Sequence, residues 1–148
     1  MAASTRDFRV TTDLHEIDLD TVHRWLSTDA FWALGRSRQT VQQAAEASMN
    51  FGVLDRERKL VGYARVVTDS ATFAWLCDVY VSPGARGKGL GLFLATAVVE
   101  TLRPLELNRV LLSTLDAHGL YERVGFTEFP DPQKLMILAP PKPKTWDA

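Results

Sequence analysis

Residues 76–99 read L-C-D-V-Y-V-S-P-G-A-R-G-K-G-L-G-L-F-L-A-T-A-V-V, and three chemistries follow one another along them. Residues 76–81 are apolar and partly β-branched, the composition of a buried strand. Residues 82–88 carry Pro83, Gly84 and Gly87, the composition of a turn. From Gly89 the chain is uncharged up to Glu100 and predicts a mostly buried helix of about three turns. A strand that feeds a glycine-rich turn and then a helix builds an anion site. Gly87, Gly89 and Gly91 let backbone approach a ligand without a Cβ in the way. The free N–H groups of the helix's first turn, and its dipole, favour negative charge. Arg86 and Lys88 add cationic donors beside them. The ligand end expected here is a phosphate or pyrophosphate.

Two common phosphate loops do not fit. A P-loop needs Lys and then Ser or Thr after its last glycine. Gly84 and Gly89 have the spacing, but Leu90 and Gly91 follow. A dinucleotide fingerprint needs G-x-G-x-x-G, and here the third glycine, Gly91, falls one residue early. What remains is R-G-K-G-L-G after a strand ending V-Y-V. It resembles the Arg/Gln-x-x-Gly-x-Gly/Ala signature of the GNAT family of N-acetyltransferases, filled without a gap by Arg86, Gly87, Lys88, Gly89, Leu90 and Gly91. In that family the loop holds the pyrophosphate of acetyl-CoA. Read without the resemblance, the hexamer is a tight strand-to-helix turn.

Composition sets the outer bounds. The chain has 148 residues, the size of one domain, residues 1–148, with a proline-rich tail at 139–148. Seventeen basic and eighteen acidic residues give a formal charge of −1, which argues against a dedicated nucleic-acid partner. The single cysteine, Cys77, excludes an internal disulfide and a cysteine-rich metal site. No metal is expected. No stretch reaches the ~18 apolar residues of a membrane span, and the N-terminus lacks a signal-peptide core. The expectation is a cytoplasmic protein with no membrane partner.

In chain order, residues 8–12 predict a first strand. Asp18 or Asp20 caps a helix to about Leu26, with Leu19, Val22, Trp25 and Leu26 as its apolar stripe. Ser37 caps a second helix over residues 38–49. Residues 51–54, 59–68 and 72–81 predict strands. Residues 109–114 predict another, whose unbroken apolar middle suits a central position. Residues 115–124 predict a short helix, capped by Asp116 and closed by Gly125. Residues 126–129 and 134–138 predict two last strands around Pro130-Asp131-Pro132. The tally is an α/β fold (α+β mixed sheet), six to seven strands flanked by about four helices. This is the order that the GNAT resemblance implies over residues 51–138, with a sheet splayed between its fourth and fifth strands.

A second motif carries the resemblance further. L-Y-E-R-V-G-F, residues 120–126, resembles the family's L-Y-x-x-x-G-F ending. Its tyrosine, here Tyr121, lies near the thioester sulfur and often protonates the leaving thiolate. Where the family frequently places a cofactor-contacting asparagine, this chain has Thr114. The resemblance also implies that the backbone of Val79, Tyr80 and Val81 pairs with the pantetheine arm, with an N–H of Tyr80 or Val81 facing the thioester oxygen. Read on its own, Tyr121 is a half-buried aromatic with a hydrogen-bonded hydroxyl.

Acyl transfer to an amine needs a base for the amine proton, a positioned carbonyl, oxyanion donors and an acid for the thiolate. Asp78 is a carboxylate inside an apolar strand and needs partners. It either anchors a substrate ammonium or relays its proton through water, or it accepts structural hydrogen bonds from backbone, Tyr or Trp. His118, three residues before Tyr121 on one helical face, is either a base or a capping or core histidine. Trp32, Arg36, Phe51 and Arg65, with Arg38, Tyr63, Phe73 and Trp75, are the acceptor-pocket candidates. The F-W-A-L-G-R-S-R stretch suits an acceptor with a carboxylate or a ring, although Phe31 and Trp32 equally suit a core plug. The expected activity is transfer of an acetyl group from acetyl-CoA to a primary amine of a small molecule or protein. The alternative is a non-catalytic acyl-CoA sensor. A homodimer is possible through Trp146 and the tail.

Overall fold

The computed structural model describes residues 5–139. Capping starts the first helix, α1 (Leu19–Asp29): the Asp18 carboxylate accepts from the backbone N–H groups of Asp20 and Thr21, satisfying two orphan donors of the first turn. Its stripe of Leu19, Val22 and Leu26 is buried. In the same way the Ser37 hydroxyl accepts from Thr40 N at the start of α2 (Arg38–Glu46), which buries Val41 and Ala45. The strands are β1 (Arg9–Thr11), β2 (Met49–Leu54), β3 (Leu60–Thr68), β4 (Phe73–Val81) and β5 (Arg109–Leu112). α3 (Leu90–Leu102) and α4 (His118–Glu122) complete the architecture.

The sheet runs β1-β2-β3-β4-β5, antiparallel through β4 and parallel between β4 and β5. α3 supplies the crossover that a parallel pair requires, and its long apolar run is explained by burial. Leu90, Leu94, Val98 and Leu102 pack with Phe51, Val66 and Leu76 on one sheet face. The other face carries a second core of Val22, Leu26, Leu54, Tyr63 and Tyr80 under α1 and α2. Two cores on one sheet make a three-layer domain.

Several expectations need correction. The described sheet has five strands, not six to seven. Residues 126–129 and 134–138 are irregular around a 3-10 turn at Pro132–Lys134: apolar composition makes a strand only where an edge pairs with it, and neither segment is paired. β5 is an edge strand, its last three residues half-buried, not a central one. Asp116 does not cap α4: the N-cap is Ala117, and its N–H donates to Thr114 Oγ1 at 3.0 Å. Residues 140–148, with most of the proline-rich tail and Trp146, lie outside the described residues.

Candidate active site

The site begins with a fault in β4. Pairing with β3 runs Arg65↔Cys77 and then jumps to Tyr63↔Tyr80, so Asp78 and Val79 together oppose Ala64. This is a β-bulge. Asp78 takes φ +53°, a left-handed conformation uncommon for a non-glycine residue. The extra residue inverts the alternation. Leu76 packs in the core beneath α3, whereas Tyr80, four residues on, packs in the core beneath α1 and α2.

β4 also loses its other neighbour. Parallel pairing with β5 ends at Leu76↔Leu112, and beyond it the strands part. A cavity of about 940 Å³ opens in the gap. Its wall is residues 77–81 of β4; residues 112–117 and Tyr121 lie opposite, and Trp32, Arg36 and Arg65 also line it.

Asp78 is the hub of that lining. Its Oδ1 accepts from Trp32 Nε1 at 2.9 Å, and its Oδ2 accepts from Arg36 at 2.8 Å and Arg65 Nε at 2.9 Å. The carboxylate is 3% exposed, and the two arginine side chains are 10% and 15% exposed. Burial alone would raise its pKa. The Arg36 and Arg65 charges and the Trp32 and Arg65 hydrogen bonds outweigh burial and hold the carboxyl below its ordinary value. Cys77 beside it is pushed up to about 11, mainly by burial, so it stays a thiol and not a nucleophile.

The glycine loop closes one end. Gly87 and Gly89 have φ +79° and +78°, and a Cβ built on either meets nothing within 4 Å. Space stands open over the loop backbone, and Gly89, the N-cap of α3, makes no side-chain cap bond. That is the shape and polarity that a pyrophosphate requires. Arg86 braces the loop: its Nε donates to Val81 O at 2.9 Å, its guanidinium lies 5.3 Å from the Tyr80 ring centroid, and it reaches Asp29 at 3.4 Å. The Lys88 ammonium lies 5.9 Å from the Phe8 ring centroid. Leu90 is buried, so it offers the site only backbone, and Gly91 packs against Leu120.

Tyr121 and Thr114 line the cavity. Tyr121 is buried with its ring edge-on to Phe126, and burial raises its pKa above the ordinary 10, so the phenol keeps its proton at neutral pH. His118 is exposed and does not line the cavity. Phe51 is fully buried in the core beneath α3, away from the cavity. Asp29 was absent from the sequence-based expectations. It lines the cavity, accepts from the Tyr80 hydroxyl and pairs with Arg86. It lies 51 residues from Tyr80 at the end of a helix, and no local pattern marks it.

Among the described residues no cluster of His, Cys, Asp and Glu could hold a metal, and no helix is long and apolar enough to cross a membrane. A model of the Acetyltransferase (GNAT) family matches residues 19–126, more than half of the chain. A Xanthomonas campestris protein described as belonging to the GNAT family superposes with a TM-score of 0.85 at 42% identity, over 90% of this chain and 94% of that one. A Mycobacterium tuberculosis protein solved in complex with CoA has the same fold, with a TM-score of 0.68 at 23% identity over 82% of this chain and 72% of that one. The uncharacterised N-acetyltransferase ycf52 of Pyropia yezoensis is 33% identical over 58% of this chain, a match spanning 50% of that protein's length. The glycine loop, the splayed β4 edge and the family match lead to one assignment: the chain belongs to the GNAT acetyltransferase family and is an acetyltransferase.

Proposed function

We propose that this acetyltransferase moves an acetyl group from acetyl-CoA directly to a primary amine, of a small molecule or a protein, with both bound at once beside β4. The observation that supports this most strongly is the unpaired edge of residues 77–81, set between the glycine loop and Tyr121. The backbone of residues 86–91 takes the pyrophosphate. Val79, Tyr80 and Val81 pair with the pantetheine arm as an added strand would, and a backbone N–H of Tyr80 or Val81 meets the thioester oxygen. Thr114 lies across the gap from them.

The amine nitrogen attacks the carbonyl carbon, the C–S bond breaks, and Tyr121 gives its proton to the departing thiolate. Asp78 does not take the amine's proton. A depressed carboxyl already accepting three hydrogen bonds is a poor base. It is a positioning residue that holds Trp32, Arg36 and Arg65. The amine's proton leaves to water at the cavity mouth. Arg36, Arg65 and Arg86 stand in the lining with Asp29, Asp78 and Asp116, and Phe31, Trp32 and Trp75 add rings to it. An acceptor that carries a carboxylate or an aromatic group beside its amine fits this lining.

Calorimetry with acetyl-CoA, CoA, ATP and NAD, followed by thiol release with a panel of amines, tests the reading. Binding of acetyl-CoA and CoA but not ATP or NAD, with thiol released only when an amine is present, is the expected result. Thiol release that is indifferent to the amine, or no binding of acetyl-CoA, overturns it.

A further inference from the structure

Asp29 stands where a helix least favours a carboxylate. It is the last residue of α1, at the end whose unsatisfied carbonyls form the negative pole of the helix dipole. The last turn of α1 holds no basic residue to offset it. The offset comes from outside the helix. The Tyr80 hydroxyl donates to Asp29 Oδ2 at 2.5 Å, and Arg86 Nη2 reaches the same oxygen at 3.4 Å. The Tyr80 hydrogen bond first, and Arg86 after it, hold the carboxyl below its ordinary value, so Asp29 is ionised at neutral pH.

The bulge makes this meeting possible. By strict alternation Tyr80 would share the face of Leu76 and lie beneath α3. The inserted residue turns it to the α1 face, where its ring stacks on Trp25 with centroids 5.3 Å apart. The Arg86 guanidinium packs over the Tyr80 ring at 5.3 Å, a cation–π contact. Its Nε donates to Val81 O at 2.9 Å. A carbonyl and a ring from β4 and a carboxylate from α1 thus hold one half-exposed side chain. Arginine has many rotamers, and an unheld guanidinium must be ordered each time a ligand arrives. Arg86 also opens the glycine loop, so tying its side chain ties the loop to the strand and to α1.

Resting on the acetyl-CoA reading of the loop, we propose that Asp29 is a positioning residue for the cofactor. Acting through Arg86, with the Tyr80 ring beneath the guanidinium, it pre-organises the loop that receives the pyrophosphate. The charge of Asp29 is matched within the chain before any substrate arrives. That distinguishes it from an open anchor for an acceptor's ammonium, which would stand without a cation of its own. The pair is half-exposed on both sides and adds little to stability. Its effect is on where Arg86 stands, and hence on the end of the cofactor that carries phosphate.

Asp29→Asn keeps an oxygen for the Tyr80 hydroxyl and removes the charge that holds Arg86. In calorimetry its Kd for acetyl-CoA is expected to rise about threefold to tenfold, the cost of ordering one long side chain on binding. Acetyl-pantetheine has the thioester but no pyrophosphate, and its affinity, measured by displacement of CoA, is expected to match wild type. In an Arg86→Ala background Asp29→Asn is expected to weaken acetyl-CoA no further, because the side chain it acts through is gone. The melting temperature is expected to hold or rise, because a helix C-terminus has lost a carboxylate. Unchanged or tighter binding of acetyl-CoA by Asp29→Asn overturns the proposal. So does an equal loss for acetyl-pantetheine, a loss that persists without Arg86, or a fall in melting temperature. A wild type that does not bind acetyl-CoA is a different failure: it overturns the acetyl-CoA reading, and the role of Asp29 falls with it.

Discussion

Trp32 Nε1 donates to Asp78 Oδ1 at 2.9 Å across 46 residues of chain, joining the segment after α1 to the bulge in β4. The other carboxylate oxygen of Asp78 takes Arg36 and Arg65. One side chain in a left-handed backbone conformation thus binds the segment after α1, the start of the loop into α2, and β3. Strain of order 1–3 kcal/mol at such a residue persists only where its surroundings over-determine it, and these three donors do so.

Asp78→Asn keeps the shape and removes the charge, leaving two nearly buried guanidiniums without their counter-ion. Breaking a buried pair in this way costs about 3–5 kcal/mol, so thermal unfolding at neutral pH is expected to drop sharply. The acceptor KM should rise far more than the KM for acetyl-CoA. The folded pKa of Asp78 is depressed, so its stabilisation is present above the unfolded carboxyl's pKa of about 3.9 and fades as pH falls through the folded value. The stability gap between wild type and variant should therefore narrow in acid, which melts at several pH values would reveal.

Trp32→Phe removes one of three donors from the same carboxylate and retains a ring. Loss of one hydrogen bond to a charged group costs about 1.5–3 kcal/mol, less than the loss of the charge. The acceptor KM should rise with kcat nearly unchanged, as expected of a positioning residue and measurable in steady-state kinetics with either substrate saturating.

Gly89→Val forces a β-branched residue to φ +78°. No atom lies near the added Cβ, so the penalty is backbone strain of order 1–3 kcal/mol plus a methyl-lined surface where a pyrophosphate should approach. Affinity for acetyl-CoA should fall about tenfold or more in calorimetry. Gly91→Ala adds a Cβ at ordinary contact distance from Leu120, 3.7 Å, and should leave affinity close to wild type.

Tyr121→Phe deletes the proposed acid while keeping the ring against Phe126. A thiolate is already a fair leaving group, so kcat should fall toward the low end of the range for general acids, about 100-fold, with both KM values little changed. In both enzymes the rate should rise with pH, and the midpoint should follow the pKa of the acceptor amine, because Asp78, the buried carboxylate of the lining, already accepts three hydrogen bonds and is a poor base. Two acceptors of different basicity, compared in thiol-release assays, check this. A midpoint that ignores the acceptor would point to a base on the protein.

The sequence alone determined much that is local, though not the cap of α4, which is Ala117 and not Asp116. Ser37 announced a helix start, and Asp18 or Asp20 another, because a cap is made within three residues; the structure gives it to Asp18. Arg86 to Gly91 marked a candidate anion site because strand, turn and helix N-terminus are consecutive. Residues 120–126 placed Tyr121 at the end of a short helix for the same reason. Only the tertiary structure decided what depends on which strands meet. The bulge at Asp78 exists because β3 and β4 pair out of step. Asp29 and Trp32 reach the site from the far side of the sheet. His118 and Phe51 point elsewhere because helix phase and sheet face, not residue type, set their direction. Residues 134–138 have a strand's composition without a strand's partner. Hydrogen-bond partners and burial are properties of surfaces brought together by the fold, and no stretch of sequence contains its own neighbour.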